Sequence, residues 1–390
     1  MTPLERRASG SLAAIFALRM LGLFLVLPVF ALEARKYPGG DDPALVGLAM
    51  GMYGLTQAFL QFPLGLASDR LGRKRVIVFG LLVFAVGSLV AAAAGSLTGL
   101  LIGRALQGAG AVSAAVTALL ADQTRDEVRT KGMALVGASI GLMFALSLVA
   151  APLLVAQIGL GGLFALTGAL ALAGIAVVLW WVPPEPRQHQ NTPRGRLSEV
   201  LAHAALLRLN FGVFVLHTVQ LAMWMAVPAL LVQAGLPREH HWWVYLPAVL
   251  ASFVVMGGTL FPLERRGYLR AVFLVAIGLV GLVQGGLLLA SGAPSLGWLA
   301  LLLFLFFCGF NVLEASQPSM ISRVAPPQAR GAALGVYNTL QSLGLFAGGA
   351  LGGALVKTVG AHGLFVATAG LSLLWLAAAW RLRPVPRHGG

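Results

Sequence analysis

Residues Gly65–Arg75 read GLASDRLGRKR, five charged residues in eleven, in a chain that is only 10% charged overall. On either side the sequence turns apolar at once, with GMYGLTQAFLQFPL (51–64) before it and VIVFGLLVFAVGSLVAAAA (76–94) after it. Apolar runs of this kind recur along the whole chain, and about twenty residues suffice to cross roughly 30 Å of hydrocarbon as a helix. A dense charge cluster between two such runs is the pattern of a connection that stays in water while its neighbours enter a bilayer.

The composition points the same way. Hydrophobic residues make up 58% of the chain, and the mean hydropathy is +0.86. No ten-residue alternating segments of the β-barrel kind occur, so the expected fold class is an all-α polytopic membrane protein. The first apolar run, Ser11–Leu32, is too long for a signal peptide and lacks a small-residue cleavage site, so it is expected to be a retained first helix. The one cysteine, Cys308, lies inside an apolar run, which excludes a disulfide within the chain.

Twelve spans are predicted, at 11–32, 44–66, 75–94, 97–121, 132–157, 160–182, 208–233, 242–263, 269–290, 295–321, 331–356 and 360–381. With the N-terminus inside, 21 of the 27 lysines and arginines fall on the cytoplasmic side, including Arg70, Arg73, Lys74 and Arg75. That asymmetry is the positive-inside bias. The net charge of +14 therefore sets topology, and the bilayer rather than nucleic acid is the expected partner. A multi-pass protein of the cell inner membrane with both termini cytoplasmic follows.

Most connections are a few residues long; the exception is the segment opening PPEPRQHQNTPRGR from Pro183. Proline and polar residues mark it as a linker, after which Ser198 is placed to cap a short amphipathic helix lying on the membrane face. The chain thus divides into a six-span half at 1–182, a linker at 183–207 and a second six-span half at 208–390. The halves echo each other. Lys131-Gly-Met-Ala-Leu135 opens the fifth span and Arg330-Gly-Ala-Ala-Leu334 the eleventh, while Asp69-Arg-Leu-Gly72 has a fainter copy in Glu264-Arg-Arg-Gly267. Parallel repeats of this kind are a transporter architecture.

The opening stretch resembles the signature loop of the major facilitator superfamily, G-x-L-[AS]-D-R-x-G-R-[KR], departing from it only at Ala67. Arg104-Ala-Leu-Gln107-Gly108-Ala-Gly110 resembles the R-x-x-Q-G-x-G element of the superfamily's drug:proton antiporter branch. At finer grain, LRMLG, YGLTQA, NFGV-x-x-LH and FN-x-x-EA-x-x-PS-x-IS are similar to a group of bacterial exporters whose chains carry a further soluble C-terminal domain. This chain ends shortly after Arg383-Pro-Val-Pro-Arg387, so that domain is expected to be missing. The resemblance implies the twelve-helix major facilitator fold, with no cofactor beyond the proton motive force. It also implies a conformational latch made of Gly65, Asp69, Arg70, Gly72, Arg73 and Asp122, with Asp69 facing the start of the eleventh span.

Inside the spans, charge is rare and costly and marks candidate pathways. Of thirteen acidic residues only Glu314 lies within a span away from its ends; a carboxyl group exchanges protons, so it is the candidate carrier. His217 is the histidine deepest in a span. Arg104 and Arg19 stay charged and can hold an anion or tune a neighbouring acid. Gln57 lies in a polar stripe with Tyr53 and Gln61, Asn311 lies near Glu314, and Asn338 and Gln341 form a second stripe. Such stripes line a path or bond helix to helix.

These residues point to a proton-coupled secondary transporter, expected to be monomeric, that exports small amphipathic compounds by alternating access. The fifth span departs from the exporter pattern G-x-x-x-G-P-x-x-G-G, since Ser147, Ala151, Val155 and Ala156 replace the glycines around Pro152. A proton symporter or facilitator importing a small solute is therefore the alternative, and a membrane sensor on the same scaffold a further one. No metal-ligand cluster, catalytic triad or Gly-Lys phosphate loop occurs, so an enzyme is not expected.

Overall fold

The computed structural model describes residues 1–185, 197–326 and 329–382, and every regular element among them is helical. The chain forms two compact units, Met1–Thr192 and Pro193–Gly390. The polar linker residues 186–196, the stretch 327–328 and the tail arginines 383 and 387 lie outside the described residues.

The first unit contains α1 (Pro3–Glu33), α2 (Pro43–Leu71), α3 (Arg73–Ala92), α4 (Leu97–Ala109), α5 (Ser113–Asp122) and α6 (Asp126–Ala176). Their starts carry expected caps. Thr2 and Glu5 form a reciprocal capping box on α1, Asp42 Oδ1 accepts from Ala44 N at 2.8 Å, and Ser96 Oγ accepts from Gly99 N at 3.3 Å. The second unit contains α7 (Leu197–Ala202), α8 (Ala204–Gln233), α9 (Trp242–Arg265), α10 (Leu269–Ala290), α11 (Leu296–Val324) and α12 (Arg330–Trp380).

Ten helical stretches among the described residues are long and apolar enough to cross a membrane. Two of them, α6 and α12, run for 51 residues each. As a single rod each would measure about 77 Å, more than twice the hydrocarbon thickness. Both are hairpins. Gly159 (φ +67°) and Gly360 (φ +70°) adopt a conformation that glycine alone takes without strain, and side-chain contacts show the chain turning back there. Going up α1, Phe24 meets Phe144 (ring centroids 5.1 Å apart) and Phe30 meets Phe164 (6.5 Å). On the return, a Cβ at Gly22 would lie 3.2 Å from Thr167, and Arg7 bonds the Trp181 carbonyl. In the second unit Gly344, Gly348 and Gly352 climb α8 beside Phe214, Thr218 and Ala222, whereas Trp375 has come back to Gly212. Counted as two spans each, these hairpins raise the ten to twelve.

Four expectations need correction. The charged stretch is not a loop: α2 runs on to Leu71 and α3 starts at Arg73, with Gly72 (φ +99°) as the whole turn. Helices that outlast the hydrocarbon carry their charge on helical turns instead. The fourth span is broken between Ala109 and Ser113, where a Cβ on Gly110 would sit 2.4 Å from the Gly80 carbonyl; the backbones of α3 and α4 approach too closely for a continuous helix with side chains. Ser198 lies inside α7 and does not cap it, because that helix already begins at Leu197. The seventh span starts at Ala204, four residues before the predicted boundary.

The duplication extends to features without sequence identity. Arg7, the fifth residue of α1, and Arg208, the fifth of α8, donate to the carbonyls of Trp181 (2.8 Å) and Arg381 (3.2 Å). Lys74 and Arg270, each the second residue of its helix, donate to Val182 O and Leu382 O, both at 2.7 Å. In each unit two cations thus cap the chain end of the last hairpin arm, where carbonyls lack helical partners.

Candidate functional site

Three polar clusters stand out. At the basic end of the first unit, Arg73 NH1 pairs with Asp69 Oδ1 at 2.5 Å and its Nε with Asp122 Oδ2 at 3.2 Å. Arg73 also donates to Ser68 Oγ at 2.6 Å, so one guanidinium ties the end of α2 to the end of α5. Gly65 lies against Ala114 of α5, where an added Cβ would make a 3.5 Å contact. Arg70 is exposed. In the second unit Glu264 and Arg323 form an ion pair between the ends of α9 and α11, with Gly267 (φ +86°) as the matching turn. Asp122 and Arg323 thus end the fourth and tenth spans with opposite charges.

The interior of the first unit holds two guanidinium groups. Arg19 on α1, 1% exposed, donates to Ser113 Oγ (2.8 Å), Tyr53 Oη (2.6 Å) and Gln57 Oε1 (2.9 Å). Arg104 on α4, 2% exposed, donates to Gln107 Oε1 at 3.0 Å and the Met50 carbonyl at 3.2 Å, and stacks 5.0 Å over the Tyr53 ring. Gln107 continues to Ser88 Oγ (2.9 Å) and Thr167 Oγ1 (3.3 Å). Among the described residues neither arginine pairs with a carboxylate. Gly108 lets α4 reach α2: a Cβ there would fall 2.1 Å from the Tyr53 carbonyl, so packing accounts for this glycine.

The interior of the second unit gathers Glu314 (α11), His217 (α8) and Gln341 (α12). Glu314 Oε2 lies 3.4 Å from His217 Nε2. The Gln341 amide nitrogen reaches Glu314 Oε1 (3.2 Å) and His217 Nε2 (2.8 Å). His217 Nδ1 sits 3.0 Å from the Val213 carbonyl. A carbonyl only accepts, so Nδ1 carries the hydrogen of that contact and Nε2 is the nitrogen turned to the other two side chains. That nitrogen faces the carboxylate. The Gln341 amide, placed with its donors toward both, satisfies the deprotonated form. One turn along α8, Gln220, Trp224 and Val227 line a small recess closed by Leu303 and Phe306, and Phe310 meets the His217 ring edge-on at 6.0 Å.

The structure therefore brings together Asp69, Arg73 and Asp122; Arg19 and Gln57; and Glu314, His217 and Gln341. Asn311 stands apart, since its amide donates to Ser252 Oγ of α9 at 2.7 Å. Three participants escape the sequence reading. Ser113 sits just beyond the helix break. Tyr337 is buried one turn before Gln341, its hydroxyl without a hydrogen-bond partner. Glu185 accepts from Arg73 N (3.1 Å) and Lys74 N (2.6 Å), capping α3 from more than a hundred residues away. Only Ser113 had a local signal, the glycines at 108 and 110 that foretell a broken helix.

A duplicated bundle of membrane-spanning helices, each unit carrying ionisable side chains on its spans, is the architecture of a polytopic transport protein. The chain belongs to the Major Facilitator Superfamily, matching that family over residues 12–349 and 264–390. It is 42% identical to the inner membrane transport protein YajR of Escherichia coli (strain K12) over 390 residues, 99% of this chain and 85% of that one. It is 27% identical to the multidrug resistance protein MdtH of Aeromonas salmonicida (strain A449), covering 92% of this chain and 91% of the relative. The crystal structure of a mutant of the nucleoside transporter NupG superimposes with a TM-score of 0.75 at 15% identity, over 96% of this chain and 99% of that one; that likeness concerns the fold.

Proposed function

We propose that this transporter is proton-coupled and exports small amphipathic compounds from the cytoplasm across the inner membrane by alternating access. The observation that carries this reading is the Glu314–His217–Gln341 cluster, which can hold one exchangeable proton within the spans. The relative named for multidrug resistance supports export, the inner-membrane relative supports the location, and the basic loops support cytoplasmic termini. The Asp69–Arg73–Asp122 cluster acts as the latch whose charges separate and re-form during the cycle.

The test uses everted membrane vesicles energised to an acidic, positive interior, with fluorescent amphipathic compounds of positive, zero and negative charge. Wild-type uptake is expected to collapse with a protonophore and to be lost in Glu314→Gln. Uptake indifferent to the protonophore overturns the coupling, and full activity of Glu314→Gln removes that carboxyl from it. A second reading, import with protons, draws support from the fifth span. Its usual exporter glycines are replaced, and Ser147 is fully buried with its hydroxyl spent on the Phe144 carbonyl at 2.7 Å. Proton-driven uptake into right-side-out vesicles alone is the outcome that favours it.

A further inference from the structure

Among the described residues Arg19 is the most completely buried cation of the first unit, and every acceptor it reaches is neutral. Its three acceptors are a serine hydroxyl, a phenol and an amide oxygen, while its Nε has no hydrogen-bond partner. Arg104 adds a second cation on the face of the same phenol ring, again with neutral acceptors only. No carboxylate among the described residues offsets either charge. A buried cation without an anion costs several kcal/mol, and a protein that needed only a tie between α1, α2 and α5 could make it with neutral groups.

The burial is uneven in an informative way. Arg19 itself is enclosed, but Ser113 and Gln57, which cover two of its hydrogen-bonding directions, are both partly exposed. They form a removable neutral cover over a fixed positive charge. We infer that the first unit binds an anionic group, a carboxylate in the first instance, at Arg19, displacing the Ser113 or Gln57 contact. The planar guanidinium fork matches a carboxylate in two-point geometry, and the Arg104 charge reinforces the field without being displaced from its backbone acceptor. The compounds carried are thus amphipathic anions or zwitterions rather than simple cations. This deepens the transport reading and rests on it for the word "carried"; the anion site itself rests on the Arg19 geometry.

The experiment is equilibrium binding to the purified full chain in detergent, by calorimetry, with 1-naphthoate, its neutral alcohol 1-naphthalenemethanol and the cation 1-naphthylmethylammonium. With no gradient present, the result is independent of proton-driven flux, so either reading can fail alone. Wild type is expected to bind naphthoate about tenfold or more tighter than the alcohol, the yield of a charge-assisted hydrogen bond, and the ammonium weakest. Arg19→Gln is expected to bind acid and alcohol alike.

Gln57→Glu separates an anion site from a structural tie. It puts a carboxylate where Gln57 Oε1 now sits, 2.9 Å from Arg19. Thermal stability is expected to rise as naphthoate affinity falls at least about tenfold. Equal affinity for acid and alcohol in wild type, including no binding of either, overturns the inference. So does a Gln57→Glu protein that keeps the wild-type preference.

Discussion

Met1–Thr192 and Pro193–Gly390 are copies that agree at one end and diverge in the middle. At the basic end they match role for role: Arg7 with Arg208, Lys74 with Arg270, and the turn at Gly72 with that at Gly267. In the interior the first copy holds Arg19 and Arg104, which cannot release a proton, and the second holds Glu314 and His217, which can. Duplication preserved what shapes the bundle and freed what lines it. The guanidinium groups sit in one copy, and the carboxyl and imidazole in the other.

Under the proposed coupling, neutralising Glu314 has the largest effect. Glu314→Gln is expected to lower proton-driven flux about 100-fold or more, the scale of losing a protonatable group from a transfer step, with its melting temperature near that of wild type; vesicle uptake and a thermal scan read the two. Next come the close helix approaches. Gly108→Ala places a Cβ 2.1 Å from the Tyr53 carbonyl and is expected to destabilise by about 3 kcal/mol or more. Gly278→Ala on α10, where nothing lies within 4 Å, is expected to be neutral or to stabilise by up to about 1 kcal/mol. Unfolding in mild detergent ranks the pair.

Smaller effects address the matching ends. Double-mutant cycles on Arg73/Asp122 and on Glu264/Arg323 are both expected to give coupling of about 0.5–1.5 kcal/mol, because these side chains are partly exposed. Additivity in one copy alone would break the equivalence of the two ends. Smallest of all, Arg7→Ala and Arg208→Ala each uncap the end of a hairpin arm and are expected to cost about 0.5–1 kcal/mol apiece. Unequal losses would show that one copy leans on its cap more than the other.

The fold was legible because hydrocarbon imposes length and charge asymmetry on a sequence, and both are local. Glu314, His217 and Arg19 were legible for the same reason, since an ionisable residue inside an apolar run is conspicuous wherever its partner lies. What sequence hid was pairing across the bundle. Gln341 and Glu314 are 27 residues apart and meet through two helices, and Asn311 looked like part of that cluster until its amide was found on Ser252. Glu185 was invisible for a stronger reason: a capping carboxylate leaves no mark on the helix it caps when it arrives from a distant segment. The signature stretch was misread as a loop because charge density tells of water, and a helix projecting into water satisfies it equally well.

The two hairpins have a mechanical consequence. Gly159 and Gly360 join their arms with a single non-helical residue, and neighbouring Cα atoms are only about 3.8 Å apart. Such a joint works as a short leash: the arms can pivot about it, but one cannot slide along the other by more than about one turn's pitch of 5.4 Å. Within each unit the last two spans therefore behave as tongs with a fixed fulcrum. Any tilt of the fifth or the eleventh span is amplified at its far end, toward Arg125 in one copy and toward Arg330 in the other, and is smallest beside the glycine.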